Sequence, residues 1–195
     1  MLGGMRTRSG FTLIEVMITV AVLGVLLAIG VPSLTNIIGN MAVRTNAEAI
    51  NSAIQFARAE AIRRNAAVKI EMSAAGTSWR IRFVSDNSVL QERGEEGRAN
   101  TVAVTFEPAA VRIITFGSLG TVTDATPITA LKVDSVTLSA ANSREMCVML
   151  SVTGSSRVCD PQLATANLEA GGSTITTTDP QSCQPAVPAI CTPTP

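Results

Sequence analysis

From Phe11 to Val31 the chain carries one charge, Glu15, in a run that is otherwise almost wholly apolar. About 20 such residues cross the hydrocarbon core of a bilayer as a helix. This segment therefore fixes the first element, a membrane-spanning helix over 11–31. Arg6 and Arg8 precede it, with no acid before the run. Basic residues before a span favour a cytoplasmic N-terminus, so everything after Val31 is expected outside the cytoplasm. Glu15 is the anomaly. A carboxylate at the bilayer centre costs about 2.5–3.5 kcal/mol on insertion scales, so it calls for a partner.

The 195 residues suffice for one globular domain plus this anchor. The chain has no His, the commonest general base and metal ligand. No nucleophile elbow, phosphate-binding loop or zinc motif occurs. The pair Glu95–Glu96 sits beside glycines in a polar loop and reads as solvated. Neither a catalytic residue, a cofactor, a metal nor a small-molecule substrate is expected. The formal net charge is zero, which gives no overall pull toward nucleic acid.

Cys147, Cys159, Cys183 and Cys191 all lie in the last quarter, without a C-x-x-C pair. Two local disulfides, Cys147–Cys159 and Cys183–Cys191, fit an oxidising compartment. The alternative is four buried thiols, and the Pro-rich tail around Cys183 and Cys191 argues against burial.

The leader M-L-G-G-M-R-T-R-S-G is followed directly by F-T-L-I-E. A secretory signal would place its cleavage site after the apolar core. Here the candidate site, Gly10, comes before it. This arrangement resembles the class III signal of type IV pilins and of type II secretion pseudopilins. The resemblance implies that prepilin peptidase cuts after Gly10 on the cytoplasmic face, and that Phe11 becomes a methylated N-terminus. It also implies that Glu15 meets the terminal amine of a neighbouring subunit. Such a pairing relieves much of the cost of the buried charge and favours one axial register. Gly24 and Pro32 stand where major pilins carry a glycine and a proline that let the helix bend or melt on assembly. Both are expected to break the helix. The plainer readings are an ordinary signal anchor and simple helix punctuation.

Over 32–65 the helical pattern resumes. Val43, Ala47, Ile50, Ile54, Ala57 and Ala61 form one stripe. Arg44–Glu48 and Glu60–Arg64 are ion pairs at i,i+4 spacing. The helix end F-A-R-A-E-A-I-R-R-N resembles that of the GspH/FimT family, which holds pseudopilin H and the FimT and FimU minor pilins. Alternating apolar residues predict a hairpin over 67–73 and 79–83. Further strands are expected at 101–106, 111–116, 129–138 and 144–153, with a loop over 85–100. F-G-S-L-G (116–120) resembles the family's Phe-to-Gly turn. G-S-S-R-V-C-D resembles its G-R-x-R stretch before a cysteine, which some FimT-type members use to bind DNA. Ser155 stands where the first arginine would be, leaving Arg157. Arg80, Arg82, Arg112 and Arg144 could add a surface, although alternating strand charges are commonly just solvated.

The expected fold class is α+β: a long N-terminal helix packed on an antiparallel β-sheet domain. The segments are a cleaved leader (1–10), a filament-core helix (11–31), its amphipathic continuation (32–65), a β-rich domain (66–160) and a Pro/Thr-rich tail (161–195). The tail reads as a mobile appendage. The resemblance implies a minor pilin of the FimT/FimU type, held in the bacterial inner membrane and then in a pilus or pseudopilus. Its partners would be other minor and major pilins or pseudopilins and prepilin peptidase. The alternatives are pseudopilin H of a type II secretion system, a DNA-binding minor pilin, and a plain membrane-anchored periplasmic domain.

Overall fold

The computed structural model describes residues 11–95, 100–163, 181, 183 and 189–192. Its contacts divide the chain into two units, Met1–Ile37 and Ile38–Pro195. One helix, α1, spans Leu13–Arg64. It begins where Thr12 Oγ1 accepts the amide of Glu15 at 3.3 Å, an N-cap that satisfies one of the free donors of the first turn. It ends in a Schellman arrangement. Asn65 takes a left-handed φ of 49°. Its amide donates to the Ile62 carbonyl, and that of Ala66 donates to the Ala61 carbonyl.

The expected break at Gly24 and Pro32 is absent, since both lie inside α1. In an apolar span no water competes for backbone groups, so a proline removes one hydrogen bond without offering the chain a better conformation. In the first unit, side chains from Phe11 to Ala28 are exposed on every face of the helix. A helix apolar all round needs lipid or protein about it. It is long and apolar enough to cross a membrane.

Among the described residues, the second unit holds eight strands. They are β1 Val68–Met72, β2 Trp79–Phe83, β3 Val89–Arg93 and β4 Val102–Glu107, followed by β5 Ile113–Phe116, β6 Ala130–Ser135, β7 Met146–Leu150 and β8 Ser156–Cys159. Sheet A has the order β3-β2-β1-β5 and sheet B the order β4-β6-β7-β8. All the pairings are antiparallel. The fold is α+β, as expected.

β3 falls inside the segment read as a loop. It is an edge strand of V-L-Q-E-R, mostly exposed, with two charged residues. Edge strands are often kept charged in this way, which erases the alternation that reveals a half-buried strand.

The main core lies between α1 and the two sheets, and a smaller buried cluster holds Ala130 and the four cysteines. The stripe Val43, Ala47, Ile50, Ile54, Ala57 and Ala61 is buried against Val68, Ile70, Ile81, Ile114 and Phe116 of sheet A and Phe106, Leu131, Val133 and Val148 of sheet B. Ile54 is fully buried. Ile54→Ala should therefore destabilise the domain by about 2–5 kcal/mol, the usual range for a core isoleucine truncation, read as the shift of the chemical-denaturation midpoint.

The tail departs from expectation in two ways. The disulfides are Cys147–Cys191 and Cys159–Cys183, with Cα–Cα distances of 6.0 and 5.0 Å, not Cys147–Cys159 and Cys183–Cys191. Cys147 and Cys159 stand directly opposite each other in the β7–β8 register. Opposed residues project to the same side of a sheet, so both meet the tail lying there, and each takes a tail cysteine. Cys183 and Cys191 are fully buried despite the prolines around them. The described part of the tail is thus docked rather than mobile. Residues 164–180, 182, 184–188 and 193–195 lie outside the described residues.

Candidate functional site

In the first unit, Glu15 occupies the first turn of α1 and its side chain is exposed. A carboxylate near a helix N-terminus sits favourably against the helix dipole. Phe11 precedes the helix and is 83% exposed. Gly10 lies outside the described residues. At Gly24 a Cβ would meet nothing within 4 Å, so that face is open to a neighbour. The T-L-I-E sequence over Thr12–Glu15 has the spacing of a capping box. The helix start is therefore marked in the sequence by Thr12 and Glu15.

In the second unit, three stretches that the sequence presents separately meet at one place. Arg58, from F-A-R-A-E-A-I-R-R-N, donates from Nε to the carbonyl of Gly120, the end of F-G-S-L-G, at 3.1 Å. Gly154, the start of G-S-S-R-V-C, packs on the same Gly120 carbonyl. Both glycines are left-handed, with φ of 75° and 82°. A Cβ on Gly120 would lie 2.6 Å from Ile62 Cδ1, and one on Gly154 would collide with the Gly120 oxygen. The amide of Val122 donates to the Val152 carbonyl at 3.0 Å, tying the two turns together. This clamp joins the end of α1 to the turn after β5 and the turn between β7 and β8. It has no group suited to chemistry, and its work is to hold the helix on the sheets.

Beside the clamp, Glu60 forms ion pairs with Arg63 at 2.7 Å and Arg64 at 2.9 Å. The hydrogen bond from Arg63 is the main influence lowering the Glu60 carboxyl below its ordinary 4.5. Burial opposes it and the Arg64 hydrogen bond adds to it. A depressed carboxylate stabilises the fold above its unfolded pKa, and that stability is lost as pH falls through the folded value. Glu60→Gln should therefore lower the melting temperature at neutral pH and flatten its decline below pH 4.5, followed by circular dichroism across that range.

The arginines considered for DNA are all engaged within the chain. Arg157 donates to the Cys183 carbonyl and to Met149 Sδ, both at 3.5 Å. Arg80 pairs with Glu92 at 2.9 Å and Arg144 with Asp160 at 2.9 Å. Arg82 lies 3.6 Å from Glu71. Arg112 sits 4.0 Å from the centre of the Phe106 ring. The structure does not gather these five into one basic patch with free guanidiniums. Among the described residues, no group of three or more His, Cys, Asp or Glu could hold a metal ion.

An exposed apolar helix that continues into a two-sheet antiparallel domain, opened by a capped glutamate, defines a type IV pilin-like protein. Residues 46–154 match the family model described as type II transport protein GspH, and residues 5–31 match the prokaryotic N-terminal methylation motif. The chain belongs to the GspH family, whose members are structural subunits, and it is not an enzyme. It is 33% identical over 109 residues to the pilin-like protein PilA1 of Thermus thermophilus, covering 52% of this chain and 69% of that one. Two crystal structures of the type IV minor pilin FimU of Pseudomonas aeruginosa are also similar. They show 22% and 20% identity and TM-scores of 0.46 and 0.44, covering 60% and 59% of this chain and 87% and 90% of those.

Proposed function

We propose that the protein is a minor pilin of a type IV pilus, cut after Gly10 by prepilin peptidase and methylated on Phe11. It waits in the inner membrane through residues 11–31, with the β domain in the periplasm. It then enters the filament or its initiating tip complex among other pilins, pairing Glu15 with a neighbour's terminal amine. Loosening at Gly24 and Pro32 on assembly belongs to this reading. One observation carries it: the methylation motif over 5–31 opens a helix whose side chains are exposed from Leu13 to Ala28 and which is long and apolar enough to cross a membrane.

Mass spectrometry of protein from cells with prepilin peptidase tests it. The expected mature chain begins with N-methylated Phe11 and co-purifies with sheared pili. A chain that keeps Met1 in such cells would instead mark a plain membrane anchor. The second reading, a minor pseudopilin of type II secretion, is favoured by the description of the family model. Deleting the gene separates the two, since loss of secreted enzymes with intact pili would favour the pseudopilin. DNA binding is a third reading, and the engaged arginines count against it. The carboxylates beside Arg80, Arg82 and Arg144 offset the positive charge these groups would present to phosphates. DNA should therefore show no gel retardation even at low salt, where counterion release is most favourable.

A further inference from the structure

α1 carries a second face beside its buried stripe. Gln55, Arg58, Ala59 and Ile62 follow i, i+3, i+4, i+7 spacing. With Gly154 and Ser155 of the β7–β8 turn and Ser156 of β8, they line an open cavity of about 370 Å³. Arg58 is the one charged residue among these seven. Its Nε is held by the Gly120 carbonyl at 3.1 Å, which pins the plane of the guanidinium. Among the described residues, neither of its Nη groups has an acceptor. A guanidinium with that edge unspent is a planar fork for one carboxylate. Ser155 is exposed, and the Ser156 hydroxyl has no partner among the described residues, so two more donors line the same cavity.

The rim is apolar. Leu119, next to Gly120, is 82% exposed, and Val152, two residues before Gly154, is 59% exposed. Ile62 is half exposed beside them. A nucleic-acid track needs several free cations in line, and here one cation stands among apolar side chains. That make-up fits a protein contact. Arginine is enriched among the residues that carry binding energy, and near-neutral neighbours around it keep water out. The clamp has already fixed Arg58 and both glycine turns, so little freedom is lost on binding.

The acid must come from elsewhere. Glu48, Glu60, Glu71, Glu92, Glu145 and Asp160 already pair with cations of their own chain, which leaves a second copy a poor source. Family membership supplies other pilins or pseudopilins as neighbours. We propose that the cavity at the clamp is a docking site for a different pilin-like subunit, which inserts an Asp or Glu carboxylate against Arg58 and packs on Ile62, Leu119 and Val152. This rests on the reading of the protein as a filament subunit, pilus or pseudopilus alike. The clamp then has two tasks: it holds α1 on the sheets and presents a rigid cation to a neighbour.

Photo-crosslinking in the native cell tests this, with p-benzoylphenylalanine in place of Leu119 in the full chain. Illumination should give an adduct with another pilin-like subunit, and mass spectrometry should place the joined peptide beside an Asp or Glu. Ser155→Asp puts an acid of the chain's own in the cavity and should weaken the adduct at least about tenfold, as loss of a charged hydrogen bond does. Its melting temperature should not fall, because Ser155 is exposed. At the rim, Val152→Asp and Val152→Lys lose the same apolar contact and differ only in sign. Asp should therefore weaken the adduct more than Lys. Equal losses from the two would overturn the acidic occupant. So would an undiminished adduct with Ser155→Asp, an adduct with a second copy, or one that nuclease removes. A chain cut after Gly10 and methylated but giving no adduct would overturn this site alone, whereas an uncut leader would overturn the filament reading along with it.

Discussion

Gly154→Ala is expected to destabilise the domain by about 2–5 kcal/mol. Two costs combine. The left-handed φ of 82° places a Cβ against backbone at about 1–2 kcal/mol. The same Cβ meets the Gly120 carbonyl oxygen and lies 3.1 Å from Arg58 Nε, and crowding of this sort in a packed site adds about 1–3 kcal/mol. Neither neighbour can yield easily, because Gly120 is backbone and is itself held by Arg58. Against a typical total of about 5–15 kcal/mol, the change should leave a domain that melts far earlier and accumulates poorly. Thermal unfolding of the variant beside Gly24→Ala provides the check. Nothing lies within 4 Å of a Cβ at Gly24, and alanine is the better helix former by about 1 kcal/mol, so that variant should be at least as stable as wild type. Equal melting temperatures for Gly154→Ala and wild type would mean that the clamp is not rigid.

Glu15→Ala should leave membrane insertion and cleavage after Gly10 intact and reduce incorporation into filaments at least tenfold. Within one chain the carboxylate does little: a charge at a helix N-terminus contributes about 0.3–1 kcal/mol. In the proposed assembly its loss strands the neighbour's ammonium in apolar surroundings. Breaking a buried pair in that way costs about 3–5 kcal/mol, well over a factor of ten in an assembly constant. Glu15→Gln separates the two roles, because it keeps a side chain able to hydrogen-bond but removes the charge. Failure of both variants, measured by immunoblot of sheared pili, is the expected result. Normal incorporation of Glu15→Gln would show that the charge is not required at this position, since the cap at Thr12 uses only the backbone amide.

Much of this protein is legible residue by residue. The stripe from Val43 to Ala61 is the buried face of α1 because a period of 3.6 admits one solution for which side chains meet the sheets. The ion pairs Arg44–Glu48 and Glu60–Arg64 formed as their spacing requires. Val68, Ile70 and Met72 face inward opposite Phe83, Ile81 and Trp79, as alternation dictates. The hairpin between Cys147 and Cys159 is present, but its disulfide is not, because proximity in sequence says nothing about a segment that returns from farther along the chain.

The apolar character of the N-terminal segment was determined by sequence alone. Hydrophobicity is a local property, and the run to Val31 states it without reference to anything distant, whereas the unbroken passage of α1 through Gly24 and Pro32 is seen only in the structure. Tertiary structure decided the rest. Arg58, Gly120 and Gly154 become one clamp, and Cys147 and Cys159 turn from each other to the tail, only once two sheets and a helix have been placed around a common core. These are contacts between residues as much as 62 positions apart in a hydrogen bond and 44 in a disulfide. Such contacts depend on how whole elements pack, and no periodicity in the chain encodes that packing in advance.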